Sequence, residues 1–459
     1  MKEKYYKLSP FVHQLPLTNN EYQTLYNALT LGLVVVRKDV VRAINKGLWQ
    51  KINPATLRHL QMIKAVILTE ETGFKELQKA QKFFKRNILG VLCLMLTESC
   101  NLRCRYCFIE HKFPKGHRFN SMNFEMAKCG IDVFIRHLPE SLENGLIDPT
   151  VSFYGGEPLL NLPVFEKSLE YIAVQKEKGK LPSKTFLTLN TNGTLVSSKI
   201  AKILKKYEVS VSLSIDGPQI VHDLARPDIK KKGSFHRAIA GIKLLREHNV
   251  NVGISCAVAM HNLKNLEEIS EWFMDEIEID VFGFNILVVG GLPEPNFDLN
   301  DYSLQLGEKM VQCFQIARKR GKQEERSFRL AKSFADGKIH YYDCSACGQQ
   351  LVVDPRGRFG PCHAYLHEEK NFVSPDYSIN LFSHSLWQEW KKRSPLNMKA
   401  CLKCIALGIC GGGCPYNAEV REGSIWKLDK GFCPFAKSMT KFLVMEVAEK
   451  AIMNYNKGC

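Results

Sequence analysis

Between Ile88 and Leu287, short runs of β-branched and aromatic residues alternate with longer stretches in which apolar positions return every three or four residues. The short runs are Ile88 to Leu96, Val151 to Tyr154, Thr185 to Asn190, Val209 to Ile215, Val252 to Val258 and Val281 to Leu287, and they predict six strands. The stretches between them predict helices. In one, Phe235, Ala238, Ile239, Ile242 and Leu245 form an apolar stripe behind Ser234, placed as the N-cap, and the stripe ends near His248 and Asn249. Alternation of this kind predicts an α/β fold on a parallel sheet. Six units suggest a partial (β/α)6 barrel; periodicity alone also allows an open doubly wound sheet.

Two segments flank the six units. Residues 1–87 form a small N-terminal module with an extended Phe11 to Leu17, a turn at Asn27 to Gly32 and a strand at Leu33 to Val36. Beyond about residue 300 the rhythm stops, and from Asp343 to Cys433 the chain is rich in Gly, Pro and Cys, as a small unit stapled by metal would be. Ala436 to Tyr455 predicts a closing helix. The expected division is 1–87, 88–300 and 301–459, with no internal repeat or low-complexity tract.

Composition narrows the class. With 459 residues, 45% of them hydrophobic, the chain has the means to bury a sizeable core. No apolar run approaches the roughly 18 residues of a membrane span, and the opening MKEKYYKLSPF lacks the apolar stretch of an export signal, so a cytoplasmic protein without membrane partners is expected. In that reducing compartment, clustered cysteines among the 16 present bind metal more readily than they pair. The net charge of +16 favours acidic partners, and residues 1–90 hold 15 Lys and Arg against 6 Asp and Glu. The basic residues are scattered and accompany no RNA-binding motif, which argues against nucleic acid.

Directly after the first strand comes Cys100-Asn-Leu-Arg-Cys104-Arg-Tyr106-Cys107, a CX3CX2C spacing. A structural zinc site takes four closed ligands, whereas a 4Fe-4S cluster held by three cysteines keeps one iron free for an outside ligand. This loop resembles the signature of the radical S-adenosylmethionine (SAM) superfamily, including the aromatic residue, Tyr106, before the third cysteine. Further motifs fall at strand ends, the face on which βα barrels build their sites. Strand two runs into Tyr154-Gly155-Gly156-Glu157-Pro158, where the resemblance implies that Glu157 and the glycines receive the methionyl amine. Asn192 after strand three, and Ser214 and Asp216 after strand four, are polar groups suited to ribose hydroxyls or a carboxylate. Arg226 has the fork of donors that pairs the methionyl carboxylate, although a surface salt bridge is the other use for it.

Downstream come Cys344-X2-Cys347, Gly357-X4-Cys362, Cys401-X2-Cys404-X5-Cys410-X3-Cys414 and Cys433. Zinc-ribbon sites are the simplest reading of such pairs, but the order resembles the SPASM domain of radical SAM maturases. That resemblance implies two auxiliary 4Fe-4S clusters, one on Cys344, Cys347, Cys362 and Cys414 and the other on Cys401, Cys404, Cys410 and Cys433. If Cys347 does not ligate, one iron of the first is open to substrate. Cys93, Cys129, Cys256 and Cys313 are expected to be buried apolar residues, and Cys459 to lie in a loose tail.

The resemblance implies reductive cleavage of SAM to methionine and a 5′-deoxyadenosyl radical. Within the SPASM group, sulfatase maturases place an Asp, the proposed base, directly after the cysteine of GX4C; this chain has Cys362-His363. His363 is the candidate to move a proton in its place, with a hydrogen-bonded or surface histidine as the simpler reading. The basic N-terminal module suits capture of an acidic leader as an added strand, although no clear winged-helix element is visible. The expected function is oxidative modification of a ribosomally made peptide, most readily a thioether or carbon–carbon cross-link. Formylglycine formation on a protein Cys or Ser, and epimerisation, are the alternatives. The implied partners are a precursor peptide or protein and a reducing carrier such as flavodoxin or ferredoxin.

Overall fold

The computed structural model describes residues 5–109, 113–146, 148–288 and 298–457. In the N-terminal module β1 (Tyr6–Leu8) pairs antiparallel with β5 (Val66–Leu68). The strands β2 (Val12–Pro16), β3 (Tyr22–Asn27) and β4 (Leu33–Arg37) form an antiparallel sheet with β3 in the middle. Helices α1 (Lys38–Asn45), α2 (Pro54–Met62) and α3 (Phe74–Gln81) complete the module, α2 starting where Asn53 Oδ1 accepts from the Ala55 N–H. Leu25, Val36, Val41, Trp49 and Leu60 give it a core of its own.

The central strands stand in chain order, β6 (Val91–Met95), β7 (Thr150–Tyr154), β8 (Phe186–Thr191), β9 (Val209–Ser214), β10 (Val252–Val258) and β11 (Val281–Ile286), each parallel to the next. Between them run α4 (Phe124–Glu143), α5 (Leu162–Glu177), α6 (Ser198–Lys206), α7 (Gln219–Ala225), α8 (Phe235–Glu247) and α9 (Leu266–Asp275). All six expected strands are present, and their order decides between barrel and doubly wound sheet. A doubly wound sheet reverses its strand order at a switch point, whereas unbroken order with right-handed crossovers puts every helix on one face. Burial agrees. Val151, Phe153, Leu187, Leu189, Val211 and Leu213 are buried beneath the helices, while Ser152, Tyr154, Asn190, Ser212, Ser214 and Ser255 alternate with the apolar positions and stay half-buried. That second, polar face is the hollow side of a partial barrel.

Ser234 stands just before α8 as expected, but its hydroxyl donates to the Arg226 carbonyl instead of capping; Asp223 Oδ1 accepts from the Ser234 and Phe235 N–H groups in its place. The remaining elements are α10 (Leu299–Lys319), β12 (Gln323–Glu324), α11 (Glu325–Ala335), β13 (Gln350–Val353), β14 (Phe359–Gly360), α12 (Ser385–Lys392), α13 (Pro415–Glu422) and α14 (Cys433–Lys457). Strand β13 comes from the cysteine-rich segment and extends the central sheet, parallel to β6. It is clamped by α4, where a Cβ on Gly130 would fall 2.4 Å from Val353. The N-terminal module docks on the cysteine-rich segment: Phe83 stacks on Tyr341 with ring centroids 3.8 Å apart, and a Cβ on Gly408 would fall 2.6 Å from the Ala28 carbonyl. Cys93, Cys129, Cys256 and Cys313 are buried; Cys459 lies outside the described residues. Among the described residues no helix is long and apolar enough to cross a membrane.

Candidate functional site

The chain leaves β6 at Met95 and folds a tight loop at the mouth of the hollow face, with Cys100, Cys104 and Cys107 half-buried in it. The Leu102 N–H points at Cys100 Sγ, 3.4 Å away, and the Cys107 N–H donates to the Cys104 carbonyl. Glu98, buried at the start of the loop, accepts from the Asn120 N–H and bonds His117 Nε2, each at 2.8 Å, which ties down both ends of the segment. The end of β7 presses on the same loop: Gly156 and Glu157 donate their N–H groups to Thr97 and Ser99 carbonyls, both at 2.8 Å. A Cβ on Gly156 would lie 2.3 Å from the Ser99 oxygen, so this approach needs glycine.

Glu157 is buried, accepting from the Thr191 hydroxyl at 2.7 Å, the Asn192 N–H at 2.9 Å and the Leu159 N–H at 3.2 Å. Among the described residues it has no ion pair, and burial pushes its carboxyl up to about 7 against those hydrogen bonds. Asn192 donates to Asn101 Oδ1 at 2.8 Å and lies 3.8 Å from Cys100 Sγ. Ser214 ends β9 on the hollow face. Beyond it Asp216 is fully buried and gathers three groups: Tyr106 donates its hydroxyl to Oδ2, Arg226 Nε stands 3.0 Å from the same oxygen, and His261 Nε2 stands 3.5 Å from it. Burial would raise this carboxyl, but Arg226 and His261 hold it well below the ordinary range. Tyr106 and His261 stack with centroids 5.8 Å apart, and the Arg226 guanidinium lies 5.4 Å from the Tyr106 ring centre. Arg226 is thus committed to Asp216 on its Nε side, and its Nη1 comes within 3.9 Å of Cys104 Sγ.

The eight downstream thiols fall into two neighbourhoods. Cys362 lies within electrostatic reach of Cys344, Cys414 and Cys347, and Cys414 within reach of Cys344. Cys410 lies within reach of Cys433, Cys401 and Cys404. The thiols thus gather in the groupings named in the sequence, which says nothing of what they ligate. Between them sits Arg393, a fully buried arginine that donates to the carbonyls of Ile425, Gly412 and Gly413 at 2.6–3.1 Å and also reaches the Cys347 thiol. The second set lines a cavity of about 420 Å³ that His13, Gln14 and Leu15 of β2 help to close. Between the first set and the Cys107 loop lies a packed layer in which His363 faces Tyr154, 4.9 Å away, and Phe108, 5.8 Å away. His363 Nδ1 is buried without a hydrogen-bond partner among the described residues, and burial lowers the imidazole to about 4.

Comparison with known proteins identifies the central region. Residues 94–273 match the model of the radical SAM superfamily. The chain carries a radical SAM domain over those residues. Over 98% of its length, and 97% of the relative's, this radical SAM chain is 24% identical to the radical SAM cyclopropyl synthase TigE of Paramaledivibacter caminithermalis. It is 25% identical to a cysteine-type anaerobic sulfatase-maturating enzyme of Clostridium novyi over 72% of this chain and 89% of that one. Among solved structures, native anSMEcpe with bound AdoMet superposes with a TM-score of 0.64 at 22% identity, covering 79% of this chain and 100% of that one, and shares the fold.

Radical SAM domains take SAM and a 4Fe-4S cluster, and the residues present fit both. Glu157, a buried carboxylate without an ion pair among the described residues, stands beside the cysteine loop, a setting whose chemistry suits an ammonium. Three thiols in one loop leave the fourth position to an outside ligand. Among the described residues no three His, Cys, Asp or Glu side chains converge on a single metal ion. Sequence reasoning missed His261, Arg393 and Glu98. His261 had a signal, since it follows β10 as Asp216 follows β9; Arg393 had none, because its partners are backbone carbonyls distant in sequence.

Proposed function

We propose that this radical SAM enzyme oxidatively modifies a ribosomally made peptide, with carbon–carbon or thioether bond formation as the outcome. The observation that carries the reading is the extent of similarity: 98% of the chain, N-terminal module included, aligns with the cyclopropyl synthase, against 72% with the sulfatase maturase. The second reading, formylglycine formation on a protein, has those maturases in its favour but lacks an Asp after Cys362.

In this reading Cys100, Cys104 and Cys107 hold the cluster that receives SAM, and Glu157 with the Gly155–Gly156 backbone receives the methionyl ammonium. Asn192 and Ser214 face the ribose. Asp216, locked to Arg226 and His261, orients Tyr106 over the loop. Bound there, cluster and SAM would together supply radical chemistry able to remove a hydrogen atom from a substrate carbon. The hollow face of the barrel keeps that carbon away from bulk water. His363, in the layer between the two cysteine regions, is assigned the proton released as the substrate is oxidised, a proton it would hold against the burial that lowers its imidazole to about 4. The two thiol sets, 344/347/362/414 and 401/404/410/433, would hold auxiliary 4Fe-4S clusters, for a total of three, and such clusters would supply one-electron redox capacity beside the site. The N-terminal module captures the leader of the substrate along an edge of its sheet, where β2 and β4 each have one side without a strand partner among the described residues.

The test is anaerobic co-expression with the short open reading frame nearest the gene, followed by intact mass of the peptide. Loss of a hydrogen pair with the native enzyme, and no change with Cys100, Cys104 and Cys107 all replaced by Ala, is the expected result. An unchanged peptide mass together with no deuterium uptake from heavy water would exclude both cross-linking and epimerisation and return the assignment to a protein substrate.

A further inference from the structure

One surface beside the cysteine loop combines exposed apolar side chains with a run of lysines. Ile220 and Leu224, one helical turn apart on α7, are 86% and 47% exposed, and Ile229 is 58% exposed. Single exposed aliphatics are ordinary on a protein surface; three of them beside Lys230, Lys231 and Lys232, all exposed, are a patch with a chemical character. The lysines are held in place. Asp228 Oδ1 accepts from the N–H groups of Lys230 and Lys232 at 2.8 and 2.9 Å, the Asp228 N–H donates to the Lys232 carbonyl, and Lys231 takes a left-handed φ of +61°. Arg237 pairs with the other Asp228 oxygen at 2.9 Å. Three adjacent cations are thereby presented on one ordered turn. None of the three has an ion-pair partner among the described residues.

This turn is attached to the loop that carries the three cysteines. Leu102 bridges to Asp228, the Arg103 N–H donates to the Pro227 carbonyl at 2.7 Å and the Arg105 N–H to the Ala225 carbonyl at 2.9 Å. Arg103 and Arg105 are themselves exposed and add to the positive charge, while Cys104 between them is half-buried. An electron delivered from outside must enter where the cluster lies nearest the surface, from a partner that docks and leaves again. An apolar centre with a cationic rim suits a transient acidic partner, whose approach it also steers.

We propose that Ile220, Leu224, Ile229 and Lys230–Lys232 form the docking surface for an acidic one-electron carrier of the flavodoxin class, which reduces the cluster held by Cys100, Cys104 and Cys107. The inference rests on the radical SAM reading of that loop. In the step, the carrier loses one electron and the cluster gains one; no bond is made or broken.

The experiment uses the reconstituted, iron-loaded full chain and a purified flavodoxin as probe. Binding is measured at low and moderate salt, and 5′-deoxyadenosine formation is driven either by reduced flavodoxin or by dithionite, which needs no docking. For K230E/K231E/K232E the expected result is about tenfold weaker flavodoxin binding, a flavodoxin-driven rate lower by a similar factor, and an unchanged dithionite-driven rate. I220S, which leaves the charge alone, weakens binding by a smaller factor with the salt dependence retained. If the triple variant also loses its dithionite-driven rate, I220S decides alone. The reference is K403E/K437E/K441E, at the exposed lysines around the second thiol set, which leaves flavodoxin binding intact. Unchanged flavodoxin binding in both the lysine-turn variant and I220S, or loss only in the reference variant, overturns the proposal. So does loss of substrate-peptide binding with flavodoxin binding intact, which would assign the patch to the substrate. Failure of dithionite to cleave SAM in the unaltered enzyme would instead overturn the reading of the loop.

Discussion

Glu157 shows how one residue ties the fold to the chemistry. Its carboxyl is buried and accepts three hydrogen bonds, yet it is pushed up to about 7, because desolvation outweighs them and no cation among the described residues offsets it. A bound ammonium supplies that cation and favours the carboxylate, so binding releases a proton wherever the free protein is protonated. SAM affinity is then expected to rise with pH up to about 7, by up to tenfold per unit well below that value. The diagnostic window is about pH 5.5 to 7, before the amine of SAM itself deprotonates near 8. E157Q should flatten the profile and weaken binding at pH 7 by about 1.5–3 kcal/mol, the worth of a charge-assisted hydrogen bond. Equilibrium dialysis with iron content checked at each pH measures both, and a flat profile in the native protein would remove Glu157 from the ammonium. Glu157 was legible because it follows a strand and a pair of glycines. His261 was harder to see, since a histidine after β10 gains meaning only when Asp216 and Tyr106 are known to converge on it.

At the level of elements, the central strands were readable because their periodicity survives in the chain: β9 reads Val-Ser-Val-Ser-Leu-Ser, apolar toward the helices and polar toward the hollow. Strand β13 was not readable. Its four residues, Gln350–Val353, become a strand by pairing with β6, more than 250 positions earlier, and no local pattern announces such a partner. The central strand of the N-terminal module, β3, was missed as well, because Tyr22-Gln-Thr-Leu-Tyr-Asn sits among turn-forming residues and is shaped by both neighbours. The cysteine-rich segment poses the converse case: its ligand spacing was plain while its scaffold was hidden. Arg393, just past α12, holds the glycine turn between Cys410 and Cys414 through the Gly412 and Gly413 carbonyls. R393M keeps the bulk but strands those buried carbonyls, at an expected cost of about 3–5 kcal/mol. Iron per chain should fall toward that of a single cluster, while the electron paramagnetic resonance signal of the SAM-binding cluster persists. Full iron content in R393M would show that the turn holds itself.

Across the whole molecule the three regions differ in what keeps them ordered. The central sheet is held by one apolar face, on which Val151, Phe153, Leu189, Val211 and Leu213 lie fully beneath the helices. Between Asp343 and Cys433 regular structure is sparse: β13 and β14 together supply six residues and α12 and α13 eight each, with the thiols placed mainly in the loops between. Binding free energy at such thiols is folding free energy. The N-terminal module leans on this same region, through the His13 ring bonded to the Cys404 backbone, Gly408 packed under Ala28 and Phe83 stacked on Tyr341. Removing iron with a chelator under reducing conditions is therefore expected to loosen the molecule in a set order. Hydrogen exchange should accelerate first over Asp343 to Cys433 and then along β2, while β7 to β10 keep their protection, because their ladder is held by buried apolar area. The thermal transition should split in two, with only the lower one dependent on iron. Equal protection of Asp343 to Cys433 with and without iron would mean that hydrophobic packing, with Trp387, Trp390 and Tyr416 at its centre, holds the segment unaided and that its thiols serve chemistry alone.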